Sequence, residues 1–323
     1  MTTHADGRRT LEDALSASEL RELTTPSDLA GARAVLLDWA MIAGALALAG
    51  AYPGVLTILV ALVILGGRQL GLSILMHEAA HRSLFRTRWL NDVVGTWLCA
   101  GPVWLDLPRY RKHHLAHHAF TGTERDPDLC LVEPFPTTRG SLARKLLRDL
   151  TGIAGVRRVA ATLAMNLELL TYTASGGARP VRVRERGWPR RALRRLAPFV
   201  VSQLLMVAVL AALGQAWLYL LWVAAFLTTF SLFLRIRSIA EHACTARSPD
   251  MWKNTRTTLA GPLARLTVAP HGVNFHLEHH LVMSVPYFRL PALHRLLAAR
   301  GMLDGDAVEP GYLAVLRKAT SAA

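Results

Sequence analysis

The hydrophobic residues of this chain gather into long, nearly uncharged runs. The first run is Ala34–Ala51, and after a Tyr52-Pro53 break the second is Gly54–Met76. At about 1.5 Å of rise per residue the second run is roughly 35 Å long, enough to cross a bilayer core of about 30 Å. The first is roughly 27 Å long, which is adequate when its ends lie in the interface. The break between them is tight and predicts a helical hairpin. Asp38 and Arg68 interrupt its apolarity and are expected to reach the interface. A second hairpin is predicted from Leu196–Leu213, a Gly214-Gln215 turn and Trp217–Leu234. Pro198 then falls in the first turn of its helix, where a missing N–H is tolerated. Trp217, Tyr219 and Trp222 crowd one end, as interfacial aromatics do. Two shorter apolar stretches remain: Val93–Leu105, broken at Gly101-Pro102, and Val159–Tyr172, which carries Asn166 and Glu168. Both are expected to be re-entrant, interfacial or buried helices.

The expected fold is therefore all-α and membrane-integral: four transmembrane helices in two hairpins, with the polar segments forming a helical cap. The domain bounds that follow are a tail over 1–33, a membrane domain over 34–300 with its cap at 77–195 and 235–300, and a C-terminal tail over 301–323. Met1–Leu23 is polar and lacks the apolar core of a cleaved signal peptide, so a loose tail or surface helix is expected there.

Charge orients this arrangement. The chain has 323 residues, 52% hydrophobic, and a formal net charge of +14. Residues 77–195 hold 21 of the 37 Lys and Arg, while the two hairpin turns hold none. By the positive-inside rule both termini and the middle segment are cytosolic, which for a chain of this kind predicts a bacterial inner membrane. Eight arginines in 179–195, just before the third run, are expected to lie against anionic headgroups. The basic excess is thus a topology signal, and with no recognition motif beside it nucleic-acid binding is not expected. Cys99, Cys130 and Cys244 are far apart and form no CxxC, which excludes a disulfide framework, a thiolate zinc site or an iron–sulfur cluster.

Histidine supplies the candidate chemistry. Eight of the 13 histidines fall into three clusters: His77-Glu78-Ala79-Ala80-His81, His114-Leu115-Ala116-His117-His118 and His276-Leu277-Glu278-His279-His280. Residues at i, i+3 and i+4 share a helix face, so each cluster can aim two or three imidazoles at one point. Neutral imidazole suits Fe, Zn or Cu. On the predicted topology all three clusters lie on one side of the membrane. Eight imidazoles exceed the roughly four to six ligands of one metal, so two adjacent metals are expected.

The boxes HEAAH, HHLAHH and NFHLEHH, set beside two hairpins, resemble those of the membrane fatty acid desaturase/hydroxylase superfamily over roughly residues 35–300. That resemblance implies two non-haem irons that activate O2 to attack an unactivated C–H bond. It implies as ligands His77, His81, His114, His117, His118, His276, His279 and His280. It adds His242, just past the fourth run, as a ninth. His113 is out of the HxxHH register and is expected beside the site or at the surface; His271 and His294 are expected to play no ligand role, and His4 lies in the tail. A ligating imidazole usually gives its outer N–H to a carboxylate or carbonyl. Glu78, Asp126, Asp128 and Glu278 are candidates for that task, and Asn274 is a candidate to approach a metal directly or through water.

The resemblance further implies a lipophilic substrate, with fatty acyl desaturation the leading reaction and hydroxylation of a lipid, alkane or carotenoid-like substrate the alternative. It implies an external electron donor of ferredoxin, rubredoxin or cytochrome type with its reductase, since no CxxC pair or GxGxxG appears in the chain. Two rival readings are weaker. HEAAH also fits the HExxH of a zinc protease, but that leaves the HxxHH clusters without a use. A metal transporter would carry its site near the bilayer midplane, away from where these histidines fall.

Overall fold

The computed structural model describes residues 15–303, 305 and 307–322; the expectations for residues 1–14, His4 included, lie outside them. The chain is mostly helical. In order it forms α1 (Ala17–Leu23), α2 (Asp28–Ala51), α3 (Val55–His81), α4 (Arg88–Val94), α5 (Leu107–Phe120), α6 (Arg139–Leu150), α7 (Ile153–Asn166), α8 (Trp188–Ala212), α9 (Leu218–Leu227), α10 (Thr229–His242), β1 (Thr257–Thr258), α11 (His276–Leu281), α12 (Leu290–Ala299), β2 (Val308–Glu309) and α13 (Tyr312–Ala319), besides shorter turns. The strands pair in parallel over two residues.

Four helical stretches are long and apolar enough to cross a membrane: Asp28–Ala51, Val55–His81, Trp188–Ala212 and Leu218–His242. Each begins or ends outside the apolar run that marks it. α2 starts at Asp28 because Ser27 caps it, accepting from the Ala30 N–H. α3 continues past Met76 through the first histidine box, with Arg82 as its left-handed cap. α8 begins at Trp188, so Pro198 lies in the helix interior and not in its first turn as the sequence suggests. The Ser202 hydroxyl bonds the Pro198 carbonyl at 2.6 Å there. The fourth stretch bends at Thr228, which separates α9 from α10. The Thr228 and Thr229 hydroxyls take the carbonyls of Ala224 and Leu62, each at 2.6 Å, and so compete with the regular ladder. Gly66 admits Thr229: a Cβ there would lie 2.2 Å from its hydroxyl.

Packing between these helices is apolar at one end and polar at the other. Ile42, Ala45, Ala49, Leu65, Leu218 and Trp222 form a core among α2, α3 and α9. Asp38 and Arg68, expected to reach the interface, are instead buried at 0% and 4% exposure and paired at 2.8 Å. Val93–Leu105 forms the end of α4, a π-helical turn and a 3-10 turn, with Cys99–Val103 buried. The second short stretch forms α7 and ends near Glu168, which pairs with Arg191 and Arg195 at 2.6 and 2.8 Å. Part of the arginine-rich segment therefore has a protein partner.

The chain on either side of the spanning bundle is ordered where described. A capping box at Ser16 and Glu19 starts α1. Leu15 and Leu23 pack against Leu290, Leu293 and Leu297 of α12. After residue 300, β2 pairs with β1, and α13 buries Val315 and Ala319 against Ile239 and Ala240 of α10.

Candidate metal centre

Four helices bring nine histidines together. His77 and His81 lie one turn apart at the end of α3. His114, His117 and His118 share the inner side of α5. His242 ends α10, and His276, His279 and His280 occupy the short α11. They form two groups: His77, His81, His114, His118 and His279, and then His117, His242, His276 and His280. Within each group the nearest ring nitrogens lie within 4.8 Å of one another. The groups abut, with the His118 and His280 rings stacked at 4.2 Å. Every one of the nine is buried except His81, which is half-buried.

The hydrogen-bond pattern tests whether a metal fits. His117 Nδ1 lies 2.8 Å from Asp126 Oδ1, and His242 Nδ1 lies 3.0 Å from the Asn254 carbonyl. Both partners only accept, so each Nδ1 carries the ring proton and each neutral Nε2 presents a bare lone pair. Those two Nε2 atoms face each other at 3.2 Å, and His276 Nε2 lies 2.8 Å from His242 Nε2. In the other group His118 Nε2 stands 3.0 Å from His114 Nε2 and 3.1 Å from His279 Nε2. Converging lone pairs repel unless a cation lies between them. Two nitrogens each bound at about 2.1 Å and at right angles on one metal would lie about 3 Å apart, which matches these separations. In addition, eight buried ring nitrogens on His77, His81, His118, His279 and His280 have no hydrogen-bond partner. An orphaned buried donor or acceptor costs about 1–3 kcal/mol, so a metal is the group this donor set fits.

The electrostatics agree. Burial holds His114, His276, His279 and His280 well below the usual histidine range, and pushes His118 down to about 2. Neutral imidazole is the ligating form. His117 is the exception. Burial lowers it, but the Asp126 hydrogen bond and the Asp128 charge outweigh that, and its net shift is upward.

The expected outer residues divide. Asp126 sits directly behind His117. Asp128 accepts from His113 at 2.7 Å and stands 3.8 Å from His117 Nδ1. Glu78 Oε2 accepts from the Ser83 hydroxyl at 3.0 Å and the Tyr287 N–H at 2.9 Å, and Oε1 lies 3.3 Å from His77 Nδ1. Glu278 accepts from Thr257 and, at 2.5 Å, from His294. The Asn274 amide donates to the Thr258 carbonyl at 3.0 Å and fastens β1 two residues before His276. His271 also stays out, bonding Asp38 at 2.9 Å.

Three contributors escape a reading of the sequence. Glu241 Oε1 lies 3.4 Å from His276 Nδ1 while paired with Arg237 at 2.7 Å. Its place beside His242 was the available signal. The Asn254 carbonyl behind His242 has none, because a backbone group carries no residue identity. Tyr110 stacks on His114 at 5.1 Å, one helical turn before it.

Two of the four apolar stretches, through α3 and α10, end in a buried cage of nine imidazoles that α5 and α11 complete, an arrangement that fits an integral membrane protein able to hold metal. The model of the fatty acid desaturase family matches residues 53–307, and the chain belongs to that family. It is 27% identical to the dihydrorhizobitoxine desaturase of Bradyrhizobium elkanii over 92% of this chain and 80% of that protein. It is 28% identical to a beta-carotene ketolase of Paracoccus sp. (strain PC1), over 68% of this chain and 72% of the relative. A second beta-carotene ketolase, from Paracoccus sp. (strain N81106 / MBIC 01143), is 26% identical over 69% and 73%. The chain is accordingly an oxidoreductase of the membrane desaturase/hydroxylase superfamily.

Proposed function

We propose that this protein is an O2-dependent di-iron oxidase that attacks an unactivated C–H bond of a lipophilic substrate, and that desaturation of an acyl chain is its reaction. The observation that carries the metal assignment is the pair of Nε2 atoms facing each other at 3.2 Å, each ring having an acceptor behind its Nδ1. One ion would be held by His77, His81, His114, His118 and His279, the other by His117, His242, His276 and His280. Two irons there would supply the activation of O2 that C–H oxidation requires.

The chain's own groups prepare that chemistry. Asp126 and the Asn254 carbonyl fix the tautomers of His117 and His242. Tyr110 holds the plane of His114. Leu75, Met76, Ala79, Ala80 and Leu107 form an apolar wall around the end of α3, excluding water from the reacting carbon. A lipophilic substrate reaches the site from the membrane, and a ferredoxin-, rubredoxin- or cytochrome-type donor with its reductase supplies electrons. The zinc-protease reading fares badly because Glu78, its required base, is committed to Ser83 and Tyr287. The positive-inside distribution supports two hairpins in a bacterial inner membrane, with termini and histidines cytosolic.

The two ketolase relatives favour a second reading, in which oxygen is inserted into the same kind of bond. Co-expression with a donor system and mass spectrometry of lipid extracts tests both. A product lighter by two hydrogens marks desaturation, and one heavier by an oxygen marks insertion. A purified protein that binds zinc but takes no iron, and forms no product, would overturn the proposal.

A further inference from the structure

His81 is the one converging histidine that is not fully buried. Its ring lies 4.8–4.9 Å from those of His77, His114, His118 and His279, so it belongs to the five-histidine group. Both its ring nitrogens are buried and point into the cage, while the residue itself reaches the surface at the end of α3. The surface around it is basic. Arg82, with φ at 61°, turns the chain out of α3, and Arg82, Arg86 and Arg88 are exposed on the way into α4. α5 lies alongside because Arg111 donates to the Ala79 and Ala80 carbonyls, each at 2.9 Å. Lys112, the next residue, is also exposed. Asp92 is already taken by Arg111 at 2.7 Å, and Glu78 is turned inward. Arg82, Arg86, Arg88 and Lys112 form no ion pair among the described residues. Arg82, Arg88 and Lys112, with Arg86 beside Asp28, thus lie around the one cage histidine that reaches the surface, and the exposed Leu115 is one turn along α5 from Arg111.

We infer that this rim docks an acidic one-electron carrier protein and that His81 is where its electrons enter the metal centre. The inference rests on the O2-dependent reading above. In that reading a turnover consumes O2, two electrons and two protons, withdraws two hydrogens from the substrate and releases two waters. Two carriers are therefore oxidised by one electron each per double bond formed. His81 is the cage residue through which an electron has the shortest way in from the surface, because the other eight histidines are buried. Complementary charge speeds such encounters and gives them a steep salt dependence.

The test uses the full-length protein in nanodiscs, an acidic [2Fe–2S] ferredoxin kept reduced by its reductase, and dithionite as a small reductant. The variant Arg82→Glu/Arg88→Glu/Lys112→Glu is compared with Arg182→Glu/Arg184→Glu/Arg186→Glu, which reverses basic charge in the segment before α8. Ferredoxin-driven turnover of the rim variant is expected to fall about tenfold or more, with a raised KM for ferredoxin and a flattened salt dependence. Its iron content and its reduction by dithionite stay at the unaltered level. An unchanged ferredoxin rate overturns the inference, and so does an equal loss in the second variant. Weakened flotation on phosphatidylglycerol vesicles with an unchanged ferredoxin rate overturns it too, by giving the cations to the membrane. Should the triple variant lose iron, Lys112→Glu alone decides, because an unchanged ferredoxin KM there is incompatible with docking. Failure of the underlying reading looks different: the unaltered protein, loaded with iron and reduced by dithionite, would consume no O2.

Discussion

Two polar clusters are buried in this largely apolar bundle, and they are built on opposite principles. One is Asp38, Arg68 and His271. Asp38 receives Arg68 at 2.8 Å and His271 at 2.9 Å, while Arg68 also donates to the Leu266 carbonyl at 2.8 Å. Of its buried side-chain atoms only Arg68 Nε goes without a partner. Gly71 leaves room for this pairing, since a Cβ there would lie 2.3 Å from Asp38 Oδ2. The other cluster is the cage of nine imidazoles, where eight ring nitrogens have no partner and several others face one another. A satisfied network ties α2 to α3 and to the chain before α11. A network left open on its inner side is a receptor for something absent from the amino-acid sequence. Burial and histidine content alone do not separate the two, because His271 is nearly as buried as the cage histidines.

The largest effect is expected on the open side. His118 touches both groups, and truncating it should remove a donor that no neighbour can replace. His118→Ala is expected to lower product formation by more than about a hundredfold, beyond what removing an outer partner costs. Iron per chain should fall with it, as read by elemental analysis. A fully active His118→Ala protein would remove His118 from the ligand set. On the closed side the expectation reverses. Asp38→Ala strands Arg68 without its counter-charge and His271 without its hydrogen-bond partner, and should cost about 3–5 kcal/mol of stability. Denaturant unfolding in detergent measures that cost. Iron per folded chain should stay unchanged, and a loss of iron without a loss of stability would break the distinction.

pH acts on the open cluster. Burial holds His114, His118, His276, His279 and His280 below the ordinary histidine value near 6.5, so they are neutral in the fold. Between their folded values and about 6.5 the unfolded chain binds more protons than the folded one. Stability is therefore full above about pH 6.5 and is lost as the pH falls below it. For metal-stripped protein the melting temperature should drop by more than about 5 °C between about pH 7.5 and about pH 5.5. A flat profile would mean that these rings keep protons in the folded state.

Much of this was legible in the sequence, for reasons that differ by residue. The spans are visible because lipid demands uninterrupted apolarity, and the boxes because i, i+3 and i+4 spacing survives as text. The ends of the helices were not legible. α3 runs five residues beyond Met76, and α8 starts eight before Leu196, because capping and amphipathic turns extend a helix past its apolar stretch. The Thr228 bend was hidden because it depends on a hydroxyl reaching across to Leu62 of α3. Asp38 and Arg68 were misread for a related reason: 30 residues apart, their pairing exists only once α2 and α3 pack together. The bond from the Asn274 amide to the Thr258 carbonyl was hidden as well, because it exists only once β1 lies beside the third box.

Asp126 and His113 probe how far the cage extends, and they carry the two smallest expected effects. Asp126→Asn keeps the size of the side chain but weakens the hold on the His117 ring proton. Iron affinity is expected to drop about 10–100-fold, measured by chelator competition, with little change in melting temperature. His113 makes the finer comparison. It adjoins His114 in the chain, yet the helix turns its ring outward to Asp128 at 2.7 Å, where it meets Tyr172 rather than the cage. His113→Gln should therefore leave iron content unaltered and change turnover by less than about threefold, since its path to the centre runs only through Asp128 and the secondary 3.8 Å contact to His117. A loss of iron as large as that of Asp126→Asn would place Asp128 level with Asp126 behind His117, and extend the cage one carboxylate further.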